Sequence, residues 1–179
     1  KWDRKKYQRD IEYSLLNGLL TGDELSKAAG MLKLKDTAQY CVVSFHTISS
    51  NSEDYYTKEE LEEIGVIEGE IQRLLPDEHI YRNLNQIVCI HEIKPGETQA
   101  GFREEMEKLY QTVQKQIFHR NKTTDFQIGI GSIVNGYGDL KKSFKDSKKI
   151  IDYMDMVRYL YGDNNISVAN FSKLGFFQI

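Results

Sequence analysis

Asn83-Leu84-Asn85-Gln86 sits between two short apolar runs in "HIYRNLNQIVCIHEI" (79–93), and its residue types decide whether a nucleotide could be handled there. The pattern is that of a β-hairpin. A hairpin turn works on nucleotides when glycine lets phosphate approach the backbone and carboxylates hold Mg²⁺, which prefers hard oxygen ligands. This turn offers neither, and Asn is an ordinary turn former. The strand exit Phe45-His46-Thr47-Ile48 also lacks a carboxylate. A purely structural hairpin is expected.

Four histidines, His46, His79, His91 and His119, are spread along the chain. His79 and His91 lie on the two hairpin arms, and Cys89 shares a strand face with His91 by parity. Cys89 or Glu92 would be the third ligand of any metal site, but no metal-ligand spacing is present. "GIGSIVNGYG" (129–138) is glycine-rich before a helix, yet it lacks the Gly-Lys-Ser/Thr ending of a phosphate loop and the dinucleotide spacing. Turn and packing roles are expected. Lys141, Lys145 and Lys148 form a stripe that could touch phosphate, diluted by Asp139, Asp146, Asp152 and Asp155. No serine or threonine has an evident His/acid partner in sequence. No residue is therefore assigned a catalytic or metal-ligating role, cofactor-binding residues stay open, and no cofactor is expected.

The elements that would position these residues follow from periodicity. Tyr7, Ile11, Leu15 and Leu19 mark one face of a helix over 4–20, broken by Gly22. Asp23 is expected to cap a second helix to about Leu34, with Leu25, Ala28, Ala29 and Leu32 inward. "QYCVVSFH" (39–46) is apolar on both alternating faces, which predicts a central, covered strand. After a polar loop over 47–56, Thr57-Lys58-Glu59-Glu60 forms a capping box, and Leu61, Ile64, Ile67, Ile71 and Leu74 continue a helix that Pro76 ends. The hairpin follows, then the breaker pair Pro95-Gly96. A helix from Gln99 to about Phe118 turns Phe102, Met106, Leu109, Val113 and Ile117 inward. In "DFQIGIGSIV" (125–134), Phe126, Ile128 and Ile130 share one face and Gln127, Gly129 and Gly131 the other, where another element can approach closely. Asp139 is expected to cap one long helix with Leu140, Phe144, Ile151 and Met154 inward and Gly162 just past its end. "NISVANF" (165–171) is a last strand. The order β-α-β-β-α-β inside this pattern predicts a ferredoxin-like α+β sheet with packed helices.

Composition sets outer bounds. The 179 residues suffice for one sizeable core, and 40% hydrophobic with 28% charged residues is ordinary for a globular protein. A formal charge of −3 gives no general pull toward nucleic acid or acidic membranes. No apolar run approaches the roughly 20 residues that span a bilayer. Cys41 and Cys89 each lie in an apolar strand run, so two buried free thiols in a reducing cytoplasm are expected. Three Asn-X-Ser/Thr triplets, at Asn121, Asn165 and Asn170, have no secretory segment to support them. The chain starts at Lys1 and stops inside "LGFFQI", so its end reads as the lead-in to a further module.

The stretch "FQIGIGSIVNGYGDLKKSFKDSKKIIDYMDMVRYLYGDNNISVANF" resembles the end of a GGDEF domain. Ile130-Gly131, Ile151-Asp152-Tyr153 and Gly162-Asp163-Asn164-Asn165 take the places of its strand end, helix and turn. In that frame Arg82-Asn83-Leu84-Asn85-Gln86 falls where active cyclases carry Gly-Gly-Asp/Glu-Glu-Phe, and all of that signature is missing. "YSLLNGLLTGDELSKAAGMLKLKDTAQYCVVSF" and "ANFSKLGFFQI" look like the start and exit of the degenerate GGDEF-like domain of CdaR/PucR-type bacterial transcriptional regulators. A related domain occurs in some AraC-type regulators, whose pattern Leu160-Tyr161-Gly162-Asp163-Asn164 also approaches.

The resemblance implies a GGDEF-like (nucleotide-cyclase-like) sheet at 38–171, a helical lead-in at 1–37, and at 172–179 the start of a linker to a C-terminal helix-turn-helix module. It implies a non-catalytic domain that relays a signal by dimerisation or by sensing a small-molecule effector. It also implies a homo-oligomer that meets DNA only through the further module, and no membrane contact. The alternatives are a degenerate domain that binds a nucleotide or cyclic dinucleotide without turnover, and a divergent cyclase with relocated metal ligands.

Overall fold

A computed structural model describes residues 4–48, 56–83, 85–119 and 125–172. Helices α1 (Arg4–Leu16) and α2 (Gly22–Met31) precede strand β1 (Gln39–Ile48). Then come α3 (Lys58–Leu74), the hairpin β2 (His79–Asn83) and β3 (Gln86–Glu92), α4 (Gln99–His119) and β4 (Asp125–Ile130). The chain closes with β5 (Val134–Asn135), a 3₁₀ turn at Tyr137–Asp139, α5 (Leu140–Asp152), α6 (Met154–Tyr161) and β6 (Val168–Asn170).

The strands form one sheet in the order β2-β3-β1-β4-β6, with β5 paired to the start of β1. All pairings are antiparallel except β4 with β6. Because β1 and β2 both run antiparallel to β3, the β-α-β-β-α-β core has the split crossover of a ferredoxin-like α+β sheet, as the sequence predicts. β1 is central: Val43 faces Cys89 on one side and Ile130 on the other, and residues 40–45 are all buried.

Alternation splits the core into two layers. Cys41, Val43, Phe45, Cys89, Phe126 and Ile128 pack under α3 and α4, with Ile67, Ile71, Phe102, Met106 and Val113. Tyr40, Val42, Val88 and Ile90 pack with Leu15, Leu16, Ala28, Ala29, Leu32, Leu140 and Phe144 on the opposite face. Helices therefore cover both faces, which is why β1 has no polar side. Thr57 Oγ accepts from Glu60 N and the Glu60 carboxylate accepts from Thr57 N, so the predicted capping box is present. Such a cap contributes about 1 kcal/mol.

The bare face of β4 receives α5. A Cβ on Gly129 would lie 2.2 Å from Ser147 O, and one on Gly131 only 2.1 Å from Ser143 O. The gap is used: Ser143 Oγ accepts from Val42 N (2.8 Å) and donates to Ser132 O (2.6 Å), while Ser44 and Ser147 hydroxyls meet at 2.7 Å. Small serines on a helix thus satisfy strand groups that glycine brings within reach.

Several expectations need correction. α1 stops at Leu16, and Gly18, left-handed at φ 65°, turns the chain ahead of Gly22. Leu19 therefore falls outside the helix and is 61% exposed, while Tyr7 is also exposed and Glu12 is buried in its stead. Asp23 is not the cap of α2; Thr21 holds that position without a side-chain bond. The expected long C-terminal helix is two, broken at Tyr153, and Ile150 is buried where Ile151 was expected. Asp139 holds the N-cap position of α5 without a capping bond. Gly162 ends α6 in the left-handed region, as expected. The last strand has only three residues. The loop beyond Ile48 and the triplet at Asn121 lie outside the described residues. Among the described residues, no helix is long and apolar enough to cross a membrane.

Candidate functional site

The hairpin turn lies at the end of the sheet where β1 exits, because Gln86 pairs with His46 and Asn83. Thr47 closes it: its backbone N and Oγ both donate to Asn85 O, at 3.3 and 3.0 Å. Asn85 Nδ2 lies 3.3 Å from His46 Nδ1. Burial pulls His46 below the ordinary histidine range, against the charge of Asp152, so its ring is neutral and Nδ1 accepts that bond. Arg82 reaches Glu68 of α3 at 3.1 Å. The strand-end carboxylate here, Asp125 opposite Ile48, accepts from Tyr110 OH (3.0 Å), from Gln114 and from Phe126 N (2.8 Å). Its Oδ1 holds α4 and the strand start together.

The opposite end of the sheet holds a denser polar cluster. His91, buried, sits between two carboxylates: Nδ1 is 2.6 Å from Glu78 Oε1, and Nε2 is 2.9 and 3.0 Å from the Glu97 oxygens. Both ring nitrogens must donate, so the geometry calls for an imidazolium. Burial opposes that charge, but the hydrogen bonds and charges of Glu78 and Glu97 outweigh it and hold His91 above its ordinary range. The ring stacks on Phe102 at 4.2 Å with 9° between planes. Glu97 also accepts from Lys94 N (2.9 Å), which fixes the turn between β3 and α4. Cys89 Sγ points at Glu78 Oε2 (3.6 Å). Burial, then nearby carboxylate charge, pushes both Cys41 and Cys89 well above the usual thiol range.

Beside this cluster is a cavity of about 250 Å³ between β1, α4, the segment after β4 and the end of β6. Ile93, Phe102, Ile130 and Ile133 supply apolar wall, and Glu97 and Asn170 supply polar wall.

The structure does not bring His79 and His91 together. His79 pairs with Ile90, so it faces the other side of the sheet from His91. Cys89 does share the His91 face, but the partners of His91 are Glu78 and Glu97, not Glu92. Glu92 lies near Tyr40 OH (3.4 Å). Among the described residues, no group of three or more His, Cys, Asp or Glu side chains is placed to hold a metal ion. In the lysine stripe, Lys148 Nζ lies 4.0 Å over the Phe144 ring, and the Lys141 stem lies against Gly18. Glu78 and Glu97 carried no sequence signal of their own. The hairpin register would have separated the two histidines, and Pro95-Gly96 marked the turn that delivers Glu97.

No curated protein matches the chain. A family model described as the GGDEF-like domain matches residues 17–153, from the end of α1 to the end of α5. That span includes β1 to β4, both crossover helices and the hairpin, and with it more than half of the molecule. The chain belongs to the GGDEF-like domain family.

Proposed function

We propose that this chain is the non-catalytic relay domain of a bacterial transcriptional regulator of the CdaR/PucR type, with an AraC-type parent as the related alternative. The observation that carries this is the closed hairpin turn. Asn85, Thr47 and His46 bond to one another where a cyclase needs metal-holding acids and glycine, and Asp125 is occupied by Tyr110 and Gln114. Magnesium would have to displace neutral, mutually bonded groups at the turn and draw Asp125 away from its donors. The domain's work is then to favour one of two arrangements of a homo-oligomer, and a DNA-binding module beyond Ile179 follows that choice. A ligand moves such an equilibrium only by binding one arrangement more tightly.

The test is incubation with GTP and Mg²⁺ or Mn²⁺, with chromatographic separation of products. No cyclic dinucleotide above a protein-free blank is expected; product that scales with protein would overturn the proposal. The full coding sequence tests the parent class: a helix-turn-helix within about a hundred residues after Ile179, roughly one domain's length, is expected.

A further inference from the structure

We infer that the cavity beside β6 binds a small organic cation, its ammonium or amidinium group held by Asn170 Oδ1 and the Glu97 carboxylate, its apolar body against Ile93, Phe102 and Ile133.

Two polar groups of the lining are already engaged. Ser132 Oγ donates to Asp146 (2.6 Å) and Ser132 O accepts from Ser143. Thr98 Oγ accepts from Gly101 N at the start of α4. Asn170, only 6% exposed, has an Oδ1 that is buried without a hydrogen-bond partner. An unsatisfied buried acceptor carries an uncompensated desolvation cost, and a donor that reached it from the cavity would recover that cost.

Charge selects the kind of donor. One imidazolium stands between two carboxylates, which leaves a net negative charge in a buried place. Among the described residues no lysine or arginine forms an ion pair with Glu78 or Glu97. A carboxylate accepts up to about four hydrogen bonds, so Glu97 retains capacity. Turning the Asn170 amide would present Nδ2 instead, but the adjacent carboxylate charge still rejects an anion. Ile93, Phe102, Ile130 and Ile133 suit a compact apolar body; at about 250 Å³ the space lies below the usual range for larger ligands.

The effector role of this site rests on the relay function proposed above; the binding itself does not. The probes are benzylamine, benzyl alcohol and benzoate, which differ mainly in charge, each titrated at pH 7 into the isotopically labelled chain by NMR. Benzylamine should shift the Asn170 side-chain amide and the Ile130 and Ile133 methyls saturably, with a Kd of about 1 mM. Benzoate should bind at least about tenfold more weakly. Glu97→Gln and Asn170→Leu should each weaken benzylamine about tenfold or more.

Equal or tighter benzoate or benzyl alcohol binding overturns the proposal. So does a lack of saturable shift by about 20 mM benzylamine, or binding indifferent to both substitutions. The charge comparison uses the wild-type chain and stands even if a variant does not fold. Cyclic dinucleotide production with benzylamine binding intact would remove the relay and leave the site. No product and no binding would remove the site and leave the relay.

Discussion

Gly131→Ala adds one methyl group at the tightest contact between sheet and helix. The new Cβ would stand 2.1 Å from Ser143 O, 2.7 Å from Ser143 Oγ and 2.9 Å from Ser143 C, where ordinary contacts begin at 3.4 Å. Backbone cannot swing aside as a flexible side chain would, so α5 must retreat locally by more than 1 Å. Overpacking of this kind costs about 1–3 kcal/mol. The retreat also pulls Ser143 Oγ from Val42 N, leaving a buried N–H on the central strand unpaired, for about 1–3 kcal/mol more. The expected loss is about 2–6 kcal/mol, against a total of about 5–15 for a typical domain. Urea unfolding followed by far-ultraviolet circular dichroism measures it; with a slope of about 1–3 kcal/mol/M the midpoint should drop by about 1 M or more. Gly69→Ala is the control, since nothing lies within 4 Å of a Cβ there and α3 should gain about 0.5–1 kcal/mol. A Gly131→Ala midpoint equal to or above wild type would refute the close packing of α5 on β4.

Glu12→Gln should stabilise the domain at pH 8. Burial lifts the Glu12 carboxyl from 4.5 to about 7 despite Gln8 and Arg9, so the wild type loses stability as pH rises between those values and the variant does not. Melting temperatures that stay parallel from pH 4 to 8 would contradict this. His91→Gln should be most damaging at low pH: the stabilisation from the raised His91 is complete below 6.5 and is lost as pH rises through the higher folded-state value. The gap between wild type and variant in pH-dependent unfolding should therefore narrow on the alkaline side, and a constant gap would oppose it. Cys41 and Cys89, both 1% exposed, should resist a thiol reagent in the native protein and react on addition of urea; rapid native labelling of both would exclude their burial.

Local signals were legible wherever one element announced its own boundaries. The capping box at Thr57, the apolar alternation of 39–46, the five inward residues of α4 and the bare Gly129/Gly131 face each involve neighbours within a few turns or residues. Helix ends were less legible: Gly18 and Gly22 are both competent to end α1, and only tertiary placement chose between them. Glu12 was unreadable as a buried residue because polar type normally marks the solvent face. The Glu78–His91–Glu97 cluster depends on strand register and on a turn folding back. The orphan oxygen of Asn170 depends on β6 lying parallel beside β4, a pairing that three residues of sequence do not advertise.

That short parallel pairing has a mechanical consequence. Three register pairs, Ile128 with Val168, Gly129 with Ala169 and Ile130 with Asn170, hold β6 to the sheet, assisted by the bond from Ile128 N to Ser167 O (2.7 Å). Seven register pairs join β1 to β3. Opening free energy varies across a structure with the extent of packing and backbone pairing. β6 is thus a latch at the rim of a rigid plate, and amide exchange at Val168–Asn170 should outpace that of Val42–Phe45. Because the latch carries one wall of the cavity, whatever fills the cavity sets how tightly the latch is shut, and the chain leaving Asn170 inherits its position.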